Sequence, residues 1–94
     1  MPENQFNGRS LSAIAKDIAE GFVLINPNLL KRIGQEHLKD LYHHLRKTQK
    51  DLRAQSFPTA DILAIRKRNV RLQRLHQAAT IVEFSAKEKR IPLL

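Results

Sequence analysis

The chain has 94 residues, no cysteine and a formal net charge of +8. This length suits one domain, and 41% hydrophobic with 28% charged residues is the balance of an ordinary folded one. The lack of cysteine excludes a disulfide framework and a thiolate metal site. No apolar run approaches the roughly 18 residues of a membrane span, and the first residues lack the pattern of a signal peptide. We therefore expect a cytoplasmic protein.

The positive charge is concentrated after residue 30. Residues 1–30 carry two cations and three carboxylates, a net charge of −1, so the other 64 residues carry +9. This asymmetry favours an acidic partner, which can be nucleic acid, an anionic membrane surface or an acidic protein. The alternative interpretation is a solvated basic face that keeps the protein in solution and binds nothing.

The chain divides into three parts. Residues 1–10 show no periodicity and are predicted to be a flexible N-terminus, residues 11–90 a single helical domain, and residues 91–94 a tail. The domain is predicted to be all-α, because apolar residues recur at spacings of three and four through most of it. Breaks at Pro27 and Pro58 separate three helices, over about residues 11–24, 27–55 and 59–90.

Each predicted helix has candidate N-caps among the short polar residues that accept hydrogen bonds from a first helical turn. In chain order these are Ser10 or Ser12, then Asn26 or Asn28, then Thr59 with Asp61. The loop between the second and third helices has only about four residues, which predicts an antiparallel hairpin. The expected architecture is a short N-terminal helix packed on this long hairpin, a coiled-coil-like three-helix bundle.

The last predicted helix has two apolar faces. Its main seam is expected to meet the stripe between Leu38 and Leu52 of the second helix, and consists of Ile65, Leu72, Leu75, Ala79, Val82 and Ala86. A second strip lies on another side of the helix, and we call it the outer strip: Leu63, Val70, Ile81 and Phe84. Two apolar faces require two packing neighbours, so the outer strip is either covered by the first helix or is a protein interface.

Two rows of cations are candidate contacts for an acidic partner. The row on the second helix follows a seven-residue repeat with one neighbour: Arg32, Lys39, Arg46, Arg53 and Lys50. The row on the third helix is Arg66, Lys67, Arg68, Arg71 and Arg74. Parallel rows of this kind suit phosphate binding, but they also occur as charged flanks whose aliphatic stems cover a seam. Few aromatic residues interleave with them, which disfavours recognition of single strands by base stacking.

No residue set has the spacing of a catalytic or metal site. His37 and His44 are seven residues apart, or about 10 Å along a helix, which is too far to share one ion directly. No cofactor, metal ligand or catalytic residue is therefore predicted. Asn69 and His76 are expected beside the main seam, where polar residues can fix register or oligomeric state.

The leading interpretation is a small non-enzymatic helical interaction or adaptor module that binds another protein, its own copy as a homodimer, or both. The alternative is a basic nucleic-acid-binding protein that uses the two cationic faces for phosphate contacts. Membrane binding is disfavoured because the apolar faces are needed for packing and tryptophan is absent. A small-molecule substrate is not expected, because a 94-residue hairpin leaves little room for a binding cleft.

Overall fold

The computed structural model describes residues 5–6, 9–55 and 61–93. The α-helices in this part of the chain are α1 (Leu11–Glu20), α2 (Pro27–Ile33), α3 (Leu38–Ala54) and α4 (Ile62–Glu88). A single 3₁₀ turn, Gln35–His37, precedes α3. Two short strands, β1 (Gln5–Phe6) and β2 (Arg9–Ser10), pair antiparallel within the segment that was expected to be flexible. The all-α bundle built on a helical hairpin is confirmed.

Helix α4 is the element that the other helices share. It packs against α3 along the hairpin and against α1 on another side, and α1 also contacts α3. The hairpin is antiparallel: Arg46 of α3 contacts Glu83 of α4, whereas Leu52, six residues later, lines the same depression as Arg71. The three-way contact encloses the core.

The core is built from leucine, isoleucine and alanine at helical spacing. The stripe of α3 is buried as predicted, with Leu38, Leu41 and Leu45 fully inaccessible. On α4 the buried positions are Leu75, Ala78, Ala79, Val82 and Ala86. Burying one leucine side chain stabilises the fold by about 1.5–3 kcal/mol, and the alanines let the neighbouring helices approach α4 closely.

Local capping explains where the helices begin. In each case a side-chain oxygen accepts from the backbone N–H three residues later: Ser10 from Ala13 (3.1 Å), Asn26 from Leu29 (2.9 Å) and Asp61 from Ala64 (3.0 Å). Each accepting residue was among the predicted candidates, and Pro27 occupies the first turn of α2. Thr59 lies outside the described residues.

The second helix is not continuous over residues 27–55 as predicted. It breaks at Gly34, which separates α2 from the 3₁₀ turn and α3. Gly34 has φ +94° and ψ 152°, a region that side chains with a Cβ hardly enter. Its N–H still donates to Leu30 O (3.1 Å), which ends α2. Leu30 and Ile33 of α2 are also buried, so the apolar stripe of α3 extends back across the break.

The first helix is shorter than predicted and ends at Glu20. Gly21 adopts the left-handed conformation (φ +84°), and its N–H and that of Phe22 donate back to the last turn of α1. A similar ending closes α4, where Arg90 has φ +56° and the N–H of Ile91 donates to Ala86 O (2.8 Å).

The chain after α4 packs against the bundle. Ile91 and Leu93 are half-buried against the core, and His43 Nε2 donates to Leu93 O (2.8 Å). Residues 91–93, which were predicted to be a tail, thus contact the helices.

The expected place of Asn69 and His76 beside the buried seam is wrong. Both side chains are exposed, because α4 turns Leu75 and Ala79 toward the core. The buried polar side chain among the described residues is instead Gln49 of α3.

Replacing Gly34 with alanine distinguishes the broken helix from a continuous one. In a continuous helix, Gly34→Ala would stabilise the protein by about 1 kcal/mol. At the observed backbone angles we expect destabilisation of about 1–3 kcal/mol, because alanine is strained there. Urea unfolding followed by circular dichroism measures the difference.

The matched control is Asn28→Ala, an exposed position of α2, where we expect a change within about 0.5 kcal/mol. A more stable Gly34→Ala variant would contradict the break.

Candidate functional site

Two arginines of α4 hold the C-terminal end of α1. Arg71 pairs with Glu20 through two contacts, Nε to Oε1 (2.7 Å) and Nη2 to Oε2 (3.2 Å). Arg74 Nη1 donates to the backbone oxygen of Ala19 (3.0 Å), one of the carbonyls that a helix end leaves unsatisfied. Arg71 and Arg74 were both predicted as contacts for an acidic partner. Each thus already has a partner group within the protein itself. We call them the α1 clamp.

Gly21 makes room for the α1 clamp. A Cβ at this position would lie 3.0 Å from Arg74 Cζ, and the positive φ already favours glycine. Glycine at the end of α1 therefore serves both the helix ending and the approach of the guanidinium.

On the α3 side of α4, Arg46 is the centre of a second polar cluster. Its Nη2 contacts Glu83 Oε1 (2.7 Å), its Nε donates to Tyr42 Oη (3.0 Å), and Tyr42 Oη donates to Glu83 Oε1 (2.8 Å). The hydrogen bond from Tyr42 and then that from Arg46 lower the pKa of Glu83 below its ordinary value. The hydrogen bond with Tyr42 and the carboxylate of Glu83 in turn raise the pKa of Arg46. The cluster joins α3 to α4.

The third partner of Arg46 is the buried Gln49, which sequence reasoning missed. Arg46 Nη1 donates to Gln49 Oε1 (3.0 Å), while Gln49 Nε2 is buried without a partner among the described residues. The signal for its burial was present: position 49 lies four residues after Leu45 and three before Leu52, so it falls on the apolar stripe. The neighbouring Thr48 is only half-buried.

The two predicted cation rows do not form one surface. Arg46 of α3 contacts Glu83 of α4, whereas Arg71 and Arg74 of α4 contact the end of α1. Arg32 lies on α2, which the break at Gly34 separates from α3, and Arg68 is half-buried. Among the described residues, five predicted contacts are exposed and form no ion pair: Lys39, Lys50, Arg53, Arg66 and Lys67.

The outer strip of α4 faces solvent. The side chains of Leu63, Val70 and Phe84 are 69%, 43% and 64% exposed, and neither α1 nor α3 covers them. Ile81 is half-buried and packs against the core. The predicted second apolar face therefore exists, and the first helix does not cover it.

Two neighbouring depressions lie along this side of the protein. The first, of about 420 Å³, has Leu63 and Val70 as its apolar residues and is otherwise bordered by Glu20, Arg66, Lys67, Arg71 and Arg74. The second is smaller, about 210 Å³, and mostly apolar; its lining includes Leu24, Ile25, Gln77 and Ile81. Arg74 borders both, so the two are adjacent. Three residues of the outer strip line these depressions: Leu63 and Val70 the first, and Ile81 the second.

No protein-family model, curated protein or solved structure matches the chain. Within the described residues, no helix is both long and apolar enough to cross a membrane. The same residues contain no group of three or more histidine or carboxylate side chains placed to hold a metal ion.

The Arg46 cluster makes a testable contribution to acid stability. A carboxyl group with a lowered pKa stabilises the fold above its unfolded pKa of about 4.3 and loses that contribution as the pH falls through its folded pKa. We expect Glu83→Gln to lower stability at pH 7 by less than about 1 kcal/mol, because Glu83 is partly exposed. The relevant window, from about pH 6 to pH 3, spans the unfolded and folded pKa values of Glu83. In this window the variant should lose less stability than the wild type.

Urea unfolding at a series of pH values measures both effects. Glu88→Gln, an exposed carboxylate at the end of the same helix, is the control and should follow the wild-type profile. Parallel profiles for wild type and Glu83→Gln would contradict the assignment.

Proposed function

We propose that this protein is a non-enzymatic helical interaction module that binds a partner protein through the outer strip of α4. The observation that carries the proposal is the exposure of Leu63, Val70 and Phe84 on a helix that already packs against α1 and α3. Leu63 and Val70 line one depression with polar neighbours, and exposed apolar patches rimmed by polar residues mark interaction sites in folded proteins.

The shape of this surface supports a protein partner. A helix with apolar residues beside two depressions matches the helix-in-groove mode, in which side chains of a partner helix enter successive pockets. The second depression, at about 210 Å³, is smaller than the roughly 300–1,000 Å³ of most small-molecule sites. It is better matched to one or two side chains of a protein.

The charged groups support a role in contacts rather than catalysis. The closest charged pairs, Arg46 with Glu83 and Arg71 with Glu20, bridge helices and so stabilise the bundle. The proposal also places the protein in the cytoplasm, which the absence of cysteine supports. A second copy of the chain is one candidate occupant of the outer strip.

Site-specific cross-linking tests the interface. With a photoreactive benzoylphenylalanine in place of Val70, irradiation of living cells should yield a protein adduct of discrete mass. The same group in place of Lys50, an exposed residue of α3, should yield none. Gel electrophoresis and mass spectrometry of the purified protein read out both.

Adding Leu63→Glu to the Val70 variant should abolish the adduct, since a carboxylate in the strip disfavours apolar contact. Leu63 is exposed, so the thermal midpoint of the single variant should change little. Equal adducts from Val70 and Lys50 would overturn the interface. An adduct of twice the chain mass would identify a homodimer.

Nucleic-acid binding is the second candidate function, and exposed cations on α3 favour it. Lys39, Lys50 and Arg53 occupy one side of α3 by helical spacing, and none forms an ion pair among the described residues. With the net charge of +8 they supply the electrostatic attraction that phosphate contacts need.

Charge reversal on α3 tests this candidate without disturbing the α1 clamp. If the α3 side binds phosphates, changing Lys39, Lys50 and Arg53 to Glu should weaken duplex binding and reduce the slope of log affinity against log salt by about three. Fluorescence anisotropy with labelled duplex DNA and RNA measures the slope. Reversal of Arg66 and Lys67 is the matched control on α4. Wild-type binding that does not respond to salt, or equal loss in both variants, would exclude a phosphate site on α3.

A further inference from the structure

We infer that the partner of the outer strip is an acidic amphipathic helix that lies along α4, with apolar side chains in the two depressions and carboxylates beside Arg66 and Lys67. This inference rests on the function proposed above and specifies the chemistry of the partner. It is carried by the charge that surrounds the apolar residues, together with the shape of the surface.

The border of the first depression is strongly positive. Four cations and one carboxylate surround Leu63 and Val70, a net charge of +3. The carboxylate, Glu20, is paired with Arg71, so it does not neutralise the other side chains. Arg66 and Lys67 are exposed and form no ion pair among the described residues. We call these two residues the cationic rim.

The cationic rim lies within the apolar strip rather than beside it. Arg66 and Lys67 follow Leu63 by three and four residues and precede Val70 by four and three, so a helix covering both apolar side chains also passes both cations. A partner with carboxylates at the edges of its apolar face pairs with them, and a partner with lysines there is repelled.

The second depression supplies an apolar site further along the same path. It extends from Arg74 in the direction of Ile81, and apart from Arg74, which also borders the first depression, its lining residues are uncharged. Leucine-sized side chains at i, i+4 and i+7 of a partner helix have the spacing that such successive sites require. The apolar sites give affinity and the cationic rim gives orientation and charge preference.

The positive charge around the outer strip also disfavours a second copy of this chain as its partner. Two copies packed through their outer strips would bring together two depressions, each with a net charge of +3 that includes its cationic rim. The chain as a whole carries +8, so long-range repulsion adds to the local one. An acidic helix is attracted both by the net charge of the chain at long range and by the cations of the depression at short range.

Selection from a displayed peptide library tests the charge and the site together. The library presents helices of about 18 residues, or 27 Å at 1.5 Å per residue, with leucines fixed at i, i+4 and i+7 and all other positions random. The biotinylated full chain is the bait at about 150 mM salt. Peptides selected by the wild type should be enriched in Asp and Glu, and Leu63→Glu with Val70→Glu should retain none of them.

Reversal of the cationic rim, Arg66→Glu with Lys67→Glu, should weaken the selected peptides by about tenfold or more and shift a new selection toward Lys and Arg. Both residues are exposed, so circular dichroism should show an unchanged fold. The matched control is reversal of Lys39 and Lys50 on α3, which should leave the affinity unchanged.

The outcomes separate the two proposals. Selected peptides without an acidic bias, but dependent on Leu63 and Val70, would overturn the acidic partner and leave the interaction module standing. Selected peptides that bind regardless of the Leu63 and Val70 substitutions would overturn both. Displacement of a selected peptide by duplex DNA at the same salt would assign the cationic rim to nucleic acid, and a dimeric mass by light scattering would assign the strip to a second copy; either result overturns the acidic helix.

Discussion

Helix α4 packs against α1 and α3 at once, and the rest of the structure depends on this double contact. Alanines at positions 78, 79 and 86 keep its buried sides narrow, so that both neighbours approach it closely while Leu75 and Val82 fill the space between them. A helix with two neighbours keeps its third side in solvent. The outer strip lies on that side.

The polar contacts secure the same arrangement from both flanks. The α1 clamp binds the C-terminal end of α1, and the Arg46 cluster joins α3 to α4 through Tyr42 and Glu83. Each ion pair is partly exposed, so its contribution to stability is modest beside the buried leucines. Their greater effect is on the distribution of charge. Arg46, Arg71 and Arg74 are engaged within the bundle, whereas the exposed candidates lie partly on α3 (Lys39, Lys50 and Arg53) and partly on α4 (Arg66 and Lys67).

This division of charge shapes the functional proposals. On the outer strip, Arg66 and Lys67 stand between apolar side chains, an arrangement suited to a partner that is apolar and acidic together. On α3, no exposed large apolar side chain accompanies the exposed cations among the described residues, which suits a partner made of phosphates. The fold thus places exposed cations on two surfaces, the outer strip of α4 and one side of α3. The two surfaces differ because only the first also has exposed apolar side chains.

The sequence by itself determined the helical class, the small sets of N-cap candidates that include Ser10, Asn26 and Asp61, and the two apolar faces of α4, because caps and apolar periodicity act within one helix. Gly34 also indicated a possible break, but the apolar stripe continues across this glycine, and that continuity led to the prediction of one helix. Only the tertiary structure decided that Glu20 takes Arg71, that Gln49 is buried and Asn69 exposed, and that α1 leaves Leu63 and Phe84 uncovered. The reason is geometric: helical spacing gives the angle of a side chain around its own axis, whereas the side on which a neighbour packs follows from the fit of all the helices together.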